Sequence, residues 1–190
     1  MDTDLTGLAA EKADARKSAF ARRKAAHNTV SGLAACRRLV DFLAPHQGKV
    51  IAAYMPIRTE IDIMPAMREM SAGSTIAVPV IRGAGMALDF HKWTPDAKLV
   101  DGPFGALIPA NATAVVPEVV IVPLVAFDRR GYRLGYGGGF YDRSLEQLRL
   151  AGPVTAVGFA YSAQETDTVP IEPTDQRLDA VVTELELITF

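Results

Sequence analysis

Residues 134–141 read Leu-Gly-Tyr-Gly-Gly-Gly-Phe-Tyr, with four glycines within five residues. A strongly apolar run, residues 119–127, precedes this stretch, and a run compatible with a helix, residues 141–150, follows it. A strand, a glycine turn and a helix in this order can direct backbone N–H groups at an anion, because glycine accepts positive φ and lets a ligand approach the main chain. A bare glycine cluster can also be only a flexible turn. The flanking Arg133 and Arg143 favour an anion-binding loop, since arginine binds phosphate well.

Two familiar nucleotide-binding motifs do not fit this stretch. A Walker A loop ends in Gly-Lys followed by Ser or Thr, whereas Phe140 and Tyr141 follow Gly139. The dinucleotide-binding pattern Gly-x-Gly-x-x-Gly begins at Gly135 but meets Phe140 at its sixth position. We therefore expect a phosphate-binding loop of another type.

The length and composition of the chain are those of one soluble domain. It has 190 residues, of which 49% are hydrophobic and 22% charged, enough to bury a substantial core. A formal net charge of -2 gives no reason to expect a nucleic-acid partner. A single cysteine excludes an internal disulfide and a cysteine-based metal site. No apolar run reaches the ~20 residues that span a bilayer, and the N-terminus lacks the apolar segment of a signal peptide. We expect a cytoplasmic monomer with no membrane partner.

The N-terminal part is expected to be helical and basic. Residues 1–7 are predicted to be a frayed end, and a helical segment follows at about 8–43. Lys12 and Arg16 stand four residues apart and so share one helix face. That face is either merely solvated or carries cations that reach phosphates held elsewhere. Cys36 falls on the apolar stripe of the second helix and is predicted to be a core residue, not a nucleophile.

Apolar runs alternate with helical patterns through most of the chain. The runs predict strands at 49–54, 74–81, 86–90, 115–125, 154–161, 178–182 and 186–189. This alternation predicts a single three-layer α/β domain over residues 1–190, with a largely parallel central sheet flanked by helices. Ligands of such proteins bind at the carboxyl ends of the strands, so Glu60, after the first strand, is a candidate site acid. It could equally be a charge at the N-terminus of the next helix.

Two residues allow a structural and a functional interpretation. Trp93, the only tryptophan, precedes a Pro- and Gly-rich stretch at 94–112 in which we predict no regular element. It is either a core anchor or part of a binding loop. Asp179 falls inside the predicted strand 178–182, where a carboxylate is either a paired structural residue or a site group.

Residues 122–128 and 131–143 resemble a family signature. They read Val-Pro-Leu-Val-Ala-Phe-Asp and Gly-Tyr-Arg-Leu-Gly-Tyr-Gly-Gly-Gly-Phe-Tyr-Asp-Arg, and this combination resembles the signature of the 5-formyltetrahydrofolate cyclo-ligases, also called methenyltetrahydrofolate synthetases. The Lys12-x-x-x-Arg16 pair resembles the first ATP element of that family. Residues 54–62 resemble its folate-contacting loop, and the segments after Trp93 and at 175–183 agree in order. The resemblance covers about residues 11–183.

The resemblance implies the NagB/RpiA/CoA-transferase-like fold and a ligase that uses ATP and Mg²⁺. Such an enzyme converts 5-formyltetrahydrofolate to 5,10-methenyltetrahydrofolate and releases ADP and phosphate. The formyl oxygen attacks the γ-phosphate, and N10 then displaces phosphate from the imidate that forms. This chemistry requires no protein nucleophile, so the partners implied are two small-molecule substrates and a metal ion.

The resemblance also implies residues for each part of this site, which acts by positioning and charge. The implied ATP-binding residues are Lys12, Arg16, Arg133, Leu134, Gly135, Tyr136, Gly137, Gly138, Gly139, Phe140 and Tyr141. The implied substrate-binding residues are Met55, Glu60, Trp93, Phe140 and Tyr141. The implied Mg²⁺ ligands are Asp142 and Asp179, although Asp142 would also suit the start of a helix as a simple charge.

Departures from the family pattern leave alternatives open. Phe140 stands where the family usually has tyrosine, and Ile108 stands where members often place an acid. Tyr136 and Gly138 occupy variable positions that can carry a basic residue in other members. These features favour, as one alternative, a paralogue with another substrate or no activity. A second alternative is a sugar-phosphate isomerase or acyl-transfer protein on a similar scaffold, which would need a general base near the loop.

Overall fold

The computed structural model describes residues 2–190, without the side chains of residues 2–6 and of residue 104. Within this range the α-helices are α1 (Asp2–Thr29), α2 (Leu33–Leu43), α3 (Met64–Met70) and α4 (Phe140–Ala151). The strands are β1 (Val50–Ala52), β2 (Thr75–Val80), β3 (Asp89–Trp93), β4 (Leu99–Asp101), β5 (Leu107–Pro109), β6 (Val119–Pro123), β7 (Ala126–Phe127), β8 (Arg133–Leu134), β9 (Thr155–Phe159), β10 (Ala180–Val182) and β11 (Leu187–Thr189). Over the same range, no helix is both long and apolar enough to cross a membrane.

Seven strands form the central sheet in the order β11-β10-β9-β6-β1-β2-β3. The five inner strands run parallel, whereas β11 and β3 join the two edges antiparallel. Two short antiparallel pairs, β4 with β5 and β7 with β8, stand apart from this sheet. The prediction of a largely parallel sheet is confirmed.

Helices cover both faces of the sheet. Ile51 belongs to the core that α2 and α3 close with Leu39 and Met67, whereas its neighbour Ala52 belongs to the core that α4 closes with Leu145. Successive strand residues point to opposite faces, so a strand covered on both faces must be apolar throughout. The central strand β6 is accordingly buried from Val119 through residue 122. The predicted three-layer α/β architecture is confirmed.

Cys36 lies in the first of these cores and is almost fully buried. Its thiol donates to the carbonyl oxygen of Asp62 at 3.2 Å, and burial raises the pKa of the thiol above its ordinary value. A buried thiol with a raised pKa is a poor nucleophile, which supports the prediction that Cys36 is a core residue.

Helix α1 packs against loops at the carboxyl edge of the parallel strands. Its Ala19 contacts a small cluster formed by Val125, Ala126, Leu134 and Val169. Further along the helix, the Arg22 guanidinium donates to the carbonyl oxygen of Ala163, in the segment that follows β9. The helix therefore spans the segments that follow β6 and β9, at the end of the sheet where α/β proteins bind ligands.

The structure corrects the predicted element boundaries. Helix α1 begins at Asp2, so the expected frayed end at residues 1–7 was wrong from that residue on, and Met1 lies outside the described residues. Helix α1 also extends to Thr29, and the second helix begins only at Leu33. The predicted strand at 115–125 is shorter than expected, since β6 begins after Pro117, which cannot donate to a strand ladder.

Short elements account for the other differences. The stretch at 94–112 contains β4 and β5, and Asp179 immediately precedes β10 instead of lying within it. Strands β7 and β8 were not predicted, because two residues are too few to show an alternating pattern.

Candidate functional site

A cavity of about 610 Å³ opens at the carboxyl ends of β1, β2 and β6. Tyr54 and Met55 line it just after β1, Pro79 lines it from β2, and Pro123 lines it at the end of β6. Strands β1 and β6 are neighbours in the sheet, although the chain first runs from β1 to β2 on the other side. The cavity therefore lies at the point where the strand order reverses, the usual ligand site of α/β sheets.

The cavity wall combines a polar and an apolar part. Two loops supply the apolar part, with Ile81, Ala84, Leu88, Pro103, Ala106, Leu107 and Ile108. Helix α1, the glycine loop, the start of α4 and a C-terminal segment supply the polar part, with Lys12, Arg16, Arg133, residues 135–139, Asp142, Glu172 and Asp175. A ligand in this space would meet charge on one side and apolar surface on the other.

The glycine loop connects β8 to α4 and needs glycine at two positions. Gly137 has a φ of 100° and Gly139 a φ of 64°, values that L side chains rarely adopt. Phe140, Tyr141 and Asp142 form the first turn of α4 and line the cavity, so this end of the helix faces the space. Helix N-termini present backbone N–H groups that bind anions. The geometry thus supports the predicted anion-binding loop.

Helix α1 brings two cations to the cavity, one of them to this loop. The Nε of Arg16 donates to the carbonyl oxygen of Gly135 at 2.9 Å, and a Cβ added at Gly137 would lie 3.5 Å from the Arg16 guanidinium carbon. The Nζ of Lys12 lies 2.8 Å from Oδ2 of Asp175 and 3.5 Å from Oε1 of Glu172. Lys12 is buried, so this helix face is packed onto the site and is not merely solvated.

A partly buried ion pair supports the start of α4. The Nη2 of Arg133 donates to Oδ1 of Asp142 at 2.8 Å, and its other amino group donates to the carbonyl oxygen of Gln176. The same Oδ1 of Asp142 accepts the backbone N–H of Gln176 at 2.9 Å. Asp142 is the acid of the first turn of α4 and also lines the cavity, so its position agrees with the helix-start interpretation and leaves the metal-ligand interpretation a prediction.

Glu60 is a buried acid in the cavity wall. Its Oε2 accepts the backbone N–H of Ile57 at 2.9 Å. Burial raises the pKa of the Glu60 carboxyl, while the Ile57 N–H and the charge of Arg23 oppose this rise. Helix α3 begins only at Met64, whose N–H is accepted by Asp62. Asp62, and not Glu60, therefore supplies the charge at the start of that helix.

Two aromatic hydroxyls stand near Glu60. Burial, followed by the charge of Glu60, raises the pKa of Tyr141 far above its ordinary value, and the pKa of Tyr54 rises for the same reasons. Both residues line the cavity, and the Tyr54 hydroxyl donates to the carbonyl oxygen of Ile61 at 2.9 Å. Neither phenol is an available base at neutral pH, so both serve as neutral hydrogen-bonding groups.

Side chains of α4 hold the apolar loop 81–88 beside the glycine loop. The Ser144 hydroxyl accepts the backbone N–H of Leu88 at 2.8 Å and donates to the carbonyl oxygen of Phe140 at 2.7 Å. Arg143 donates to the carbonyl oxygens of Met86 and Gly138, one in each loop. The polar and apolar walls are thus tied to the same helix.

The model of the 5-formyltetrahydrofolate cyclo-ligase family matches residues 9–184. The chain belongs to this family. A 5-formyltetrahydrofolate cyclo-ligase of Escherichia coli K12 is 33% identical over 160 residues, which cover 80% of this chain and 87% of the relative. A cyclo-ligase of Mycolicibacterium smegmatis is 33% identical over 149 residues, covering 72% of this chain and 74% of the relative.

Solved structures agree with this family assignment. The NMR structure of a 5,10-methenyltetrahydrofolate synthetase from Aquifex aeolicus superposes with a TM-score of 0.72 and 27% identity, covering 94% of this chain and 92% of that one. A synthetase from Mycoplasma pneumoniae has a TM-score of 0.69 and 25% identity, covering 91% and 98%. The predicted family and enzyme class are confirmed, which sets the isomerase and acyl-transfer alternative aside.

The structure brings most of the predicted cyclo-ligase site residues to the cavity, but not all of them. Of the predicted residues, those that line the cavity are Lys12, Arg16, Met55, Glu60 and the whole run 133–142. Trp93 is buried in the core beside β2 and does not line the cavity. Asp179 does not line it either, because its Oδ2 accepts the N–H of Ala156 at 2.7 Å and pairs with Arg149 at 3.2 Å. The structure therefore favours the structural interpretation of Trp93 and of Asp179, one of the two that the sequence left open for each.

Several lining residues of this cyclo-ligase were not predicted. Glu172 and Asp175 lie in a polar, proline-containing loop without a recognisable pattern, and only the fold brings them to Lys12. Arg58, the one non-glycine residue with positive φ (54°) between residues 2 and 190, also lines the cavity. Its guanidinium carbon lies 5.9 Å from the centre of the Tyr136 ring. Left-handed conformations of such residues often occur at functional sites, a signal visible only in the structure.

Alanine at Gly137 is expected to destabilise the protein, and alanine at Gly135 is not. Gly137→Ala places a side chain at a φ of 100°, which costs about 1–2 kcal/mol, while Gly135 has ordinary φ and open space around an added Cβ. Urea unfolding should show a lower free energy of unfolding for Gly137→Ala and a change within about 0.5 kcal/mol for Gly135→Ala. Equal effects of the two changes would contradict the loop geometry.

Proposed function

We propose that this cyclo-ligase family member uses ATP and Mg²⁺ to convert 5-formyltetrahydrofolate to 5,10-methenyltetrahydrofolate, with release of ADP and phosphate. The observation that carries this proposal is one continuous cavity, which is lined by a cationic glycine loop, by an apolar wall and by the buried acid Glu60. A reaction that transfers a phosphoryl group to a folate needs both surfaces in one space. The names of the bacterial relatives support the same conversion.

The phosphate end of the cavity is assigned to the glycine loop and its cations. Residues 135–139 and the first turn of α4 offer backbone N–H groups, and Lys12, Arg16 and Arg133 supply positive charge. Phosphoryl transfer depends mostly on positioning and on stabilising negative charge, so these groups suffice without a protein nucleophile. Leu134 and Tyr136 flank Gly135 and also line the cavity, and they complete the set of residues assigned to ATP.

The acids beside this end fit a magnesium ion. Asp142 and Asp175 line the cavity, and their carboxylates are the hard oxygen ligands that Mg²⁺ prefers. Among the described residues no cluster of three acidic, histidine or cysteine side chains forms a ready metal cage. Mg²⁺ usually binds through one or two carboxylates together with substrate phosphates and water, so two acids are a fitting donor set. The ion would neutralise phosphate charge there.

The folate end is assigned to Glu60 and the apolar loops. The Glu60 carboxylate would accept N–H groups of the pterin, while Met55, Phe140 and Tyr141 would contact its flat faces. The loops at 81–88 and 103–108 would exclude water from the reacting atoms. Phe140 offers no hydroxyl and Ile108 no carboxylate, so hydrogen bonding to the folate is assigned to Glu60 and to the neighbouring hydroxyls of Tyr54 and Tyr141.

The chemistry then needs the two substrates and Mg²⁺ but no protein nucleophile. The formyl oxygen attacks the γ-phosphorus, the bond to ADP breaks, and the formyl carbon becomes an imidate carrying phosphate. N10 attacks that carbon and releases its proton, and phosphate leaves with the former formyl oxygen as the five-membered ring of the methenyl product closes. The protein orients the two partners and excludes water, and we infer that it works as a cytoplasmic monomer.

The direct experiment is an absorbance assay. Purified protein is incubated with 5-formyltetrahydrofolate, ATP and Mg²⁺, and the near-ultraviolet band of the methenyl product is followed. We expect product only when ATP and Mg²⁺ are both present. If no product forms at any protein concentration, the proposed function is wrong.

Arg16→Ala is expected to raise the KM for ATP about tenfold or more, because losing one charge-assisted contact to phosphate costs on the order of 1.4 kcal/mol. The KM for 5-formyltetrahydrofolate should stay within about twofold, since Arg16 contacts the glycine loop. Lys17→Ala is the matched control, because Lys17 is the exposed neighbour on the same helix. Steady-state kinetics with each substrate varied check this, and equal changes in both KM values would argue against a phosphate contact.

Asp142→Asn is expected to lower turnover and to raise the Mg²⁺ concentration needed for half-maximal activity, because a neutral amide binds Mg²⁺ more weakly than a carboxylate does. Asp179→Asn is the comparison, since its carboxylate is turned to Ala156 and Arg149. Magnesium titrations of activity for both variants make the measurement. If only the Asp179 variant needs more Mg²⁺ for half-maximal activity, then Asp179 is the ligand and Asp142 is not.

A further inference from the structure

Arg23 is the largest of the fully buried side chains, with 1% of its surface exposed. It lies on the α1 face of Lys12 and Arg16, seven residues after Arg16, where the helical period returns to the same side. Unlike those two cations, Arg23 does not line the cavity. A buried cation is costly unless hydrogen bonds and a nearby negative charge compensate it, so its partners explain its presence.

The guanidinium of Arg23 joins three loops at the carboxyl edge of the sheet. Its Nε donates to the hydroxyl of Thr59 at 3.1 Å, in the loop after β1. Its Nη1 donates to the carbonyl oxygen of Leu124 at 3.4 Å, just after β6. Its Nη2 donates to the hydroxyl of Tyr136 at 2.7 Å, in the glycine loop. The folate-side loop and the phosphate-side loop are therefore held by one side chain.

The Tyr136 hydroxyl interacts with Glu60 as well as with Arg23. A phenol has one proton, so while its oxygen accepts the Arg23 N–H it can donate only once. The remaining proton is available to Glu60, whose carboxyl pKa the Tyr136 hydroxyl lowers and whose Oε2 accepts the backbone N–H of Ile57. Arg23 thus contacts both Tyr136 and Thr59, the residue next to Glu60 in the chain, and of these groups Tyr136 and Glu60 line the cavity.

We propose that Arg23 is a positioning residue for the folate site, which fixes the Glu60 carboxylate through the Tyr136 hydroxyl and locks the loop after β1 to the glycine loop. This inference rests on the proposed function, because it takes Glu60 as the acceptor for the pterin. It assigns Tyr136 a hydrogen-bonding role on the folate side in addition to its place in the phosphate loop. It also makes the two substrate surfaces mechanically dependent on each other.

The charge of Glu60 depends on this chain of hydrogen bonds. Burial raises the pKa of the Glu60 carboxyl, and the groups that oppose the rise are the Ile57 N–H, Arg23, the Tyr136 hydroxyl and Arg58. The phenols of Tyr54 and Tyr141 also face Glu60, and they are neutral at ordinary pH. Removing the Tyr136 hydroxyl removes a donor to the charged form. The pKa of Glu60 must then rise further, and its charged form is lost at higher pH than in the native protein.

The decisive experiment measures this titration without turnover. Protein labelled with ¹³C at glutamate carboxyl carbons is titrated by NMR, and Glu60→Gln identifies the Glu60 signal. Tyr136→Phe keeps the ring and should raise the Glu60 midpoint by about one pH unit, the equivalent of one lost hydrogen bond. Tyr132→Phe is the matched control, since its ring lies by Arg130, and should leave the midpoint unchanged. An unchanged midpoint in Tyr136→Phe overturns the proposal.

Kinetics provide the second measurement. Tyr136→Phe should raise the KM for 5-formyltetrahydrofolate several-fold, and the acid-side fall of kcat/KM should move to higher pH. Arg23→Lys keeps the charge but cannot bond all three partners, and, once circular dichroism has shown that it is folded, it should shift both quantities in the same direction. If the native protein shows no turnover, the proposed function fails while the NMR titration still tests the hydrogen-bond chain. If turnover is normal and neither variant moves the pH profile, the positioning role is wrong.

Discussion

Parallel pairing of β1 with β6 is the constraint on which the site depends. Register contacts such as Ile51 with Val119 place the ends of these strands side by side, so that the loops after them must open at the same edge. Both faces of the sheet are already covered by helices, which leaves this edge as the open end. The buried acid follows β1 directly, and the β7–β8 pair with its glycine loop follows β6, so both lie at this edge.

Helix α1 covers part of this edge of the sheet and leaves the cavity open. The helix contacts the loops through an apolar cluster, in which Ala19 packs against Ala126 of β7 and Leu134 of β8, and through polar side chains beside it. Each of the three cations on this face has a partner far along the chain: Lys12 has Asp175, Arg16 has the Gly135 carbonyl, and Arg23 has Tyr136. Removing the partner of a buried cation is costly, because the charge is then left without compensation. The two buried cations, Lys12 and Arg23, therefore tie α1 to these particular loops.

Local patterns predicted the parts of the fold and site that are local in origin. The glycine loop, the helix after it, the main strands and the shared face of Lys12 and Arg16 follow from spacing and residue type. Asp175, the loops at 81–88 and 103–108, and the burial of Arg23 could not be predicted, because their partners are chosen by the tertiary fold. Trp93 and Asp179 each had a structural and a functional interpretation. The sequence could not decide between them, because it does not show which residues of a strand face a cavity. The helical spacing from Lys12 and Arg16 does place Arg23 on the same helix face, although it does not predict that the side chain is buried.

Gly139 has a consequence for the energetics of α4. A helix normally begins with a residue whose side chain caps the first free amides, and glycine has none to offer. The first amides of α4 therefore lack a side-chain cap, and they lie at the cavity, where an anion would cap them. Under the proposed function, phosphate bound at this end would stabilise the start of the helix, so part of the binding free energy would appear as added helix stability.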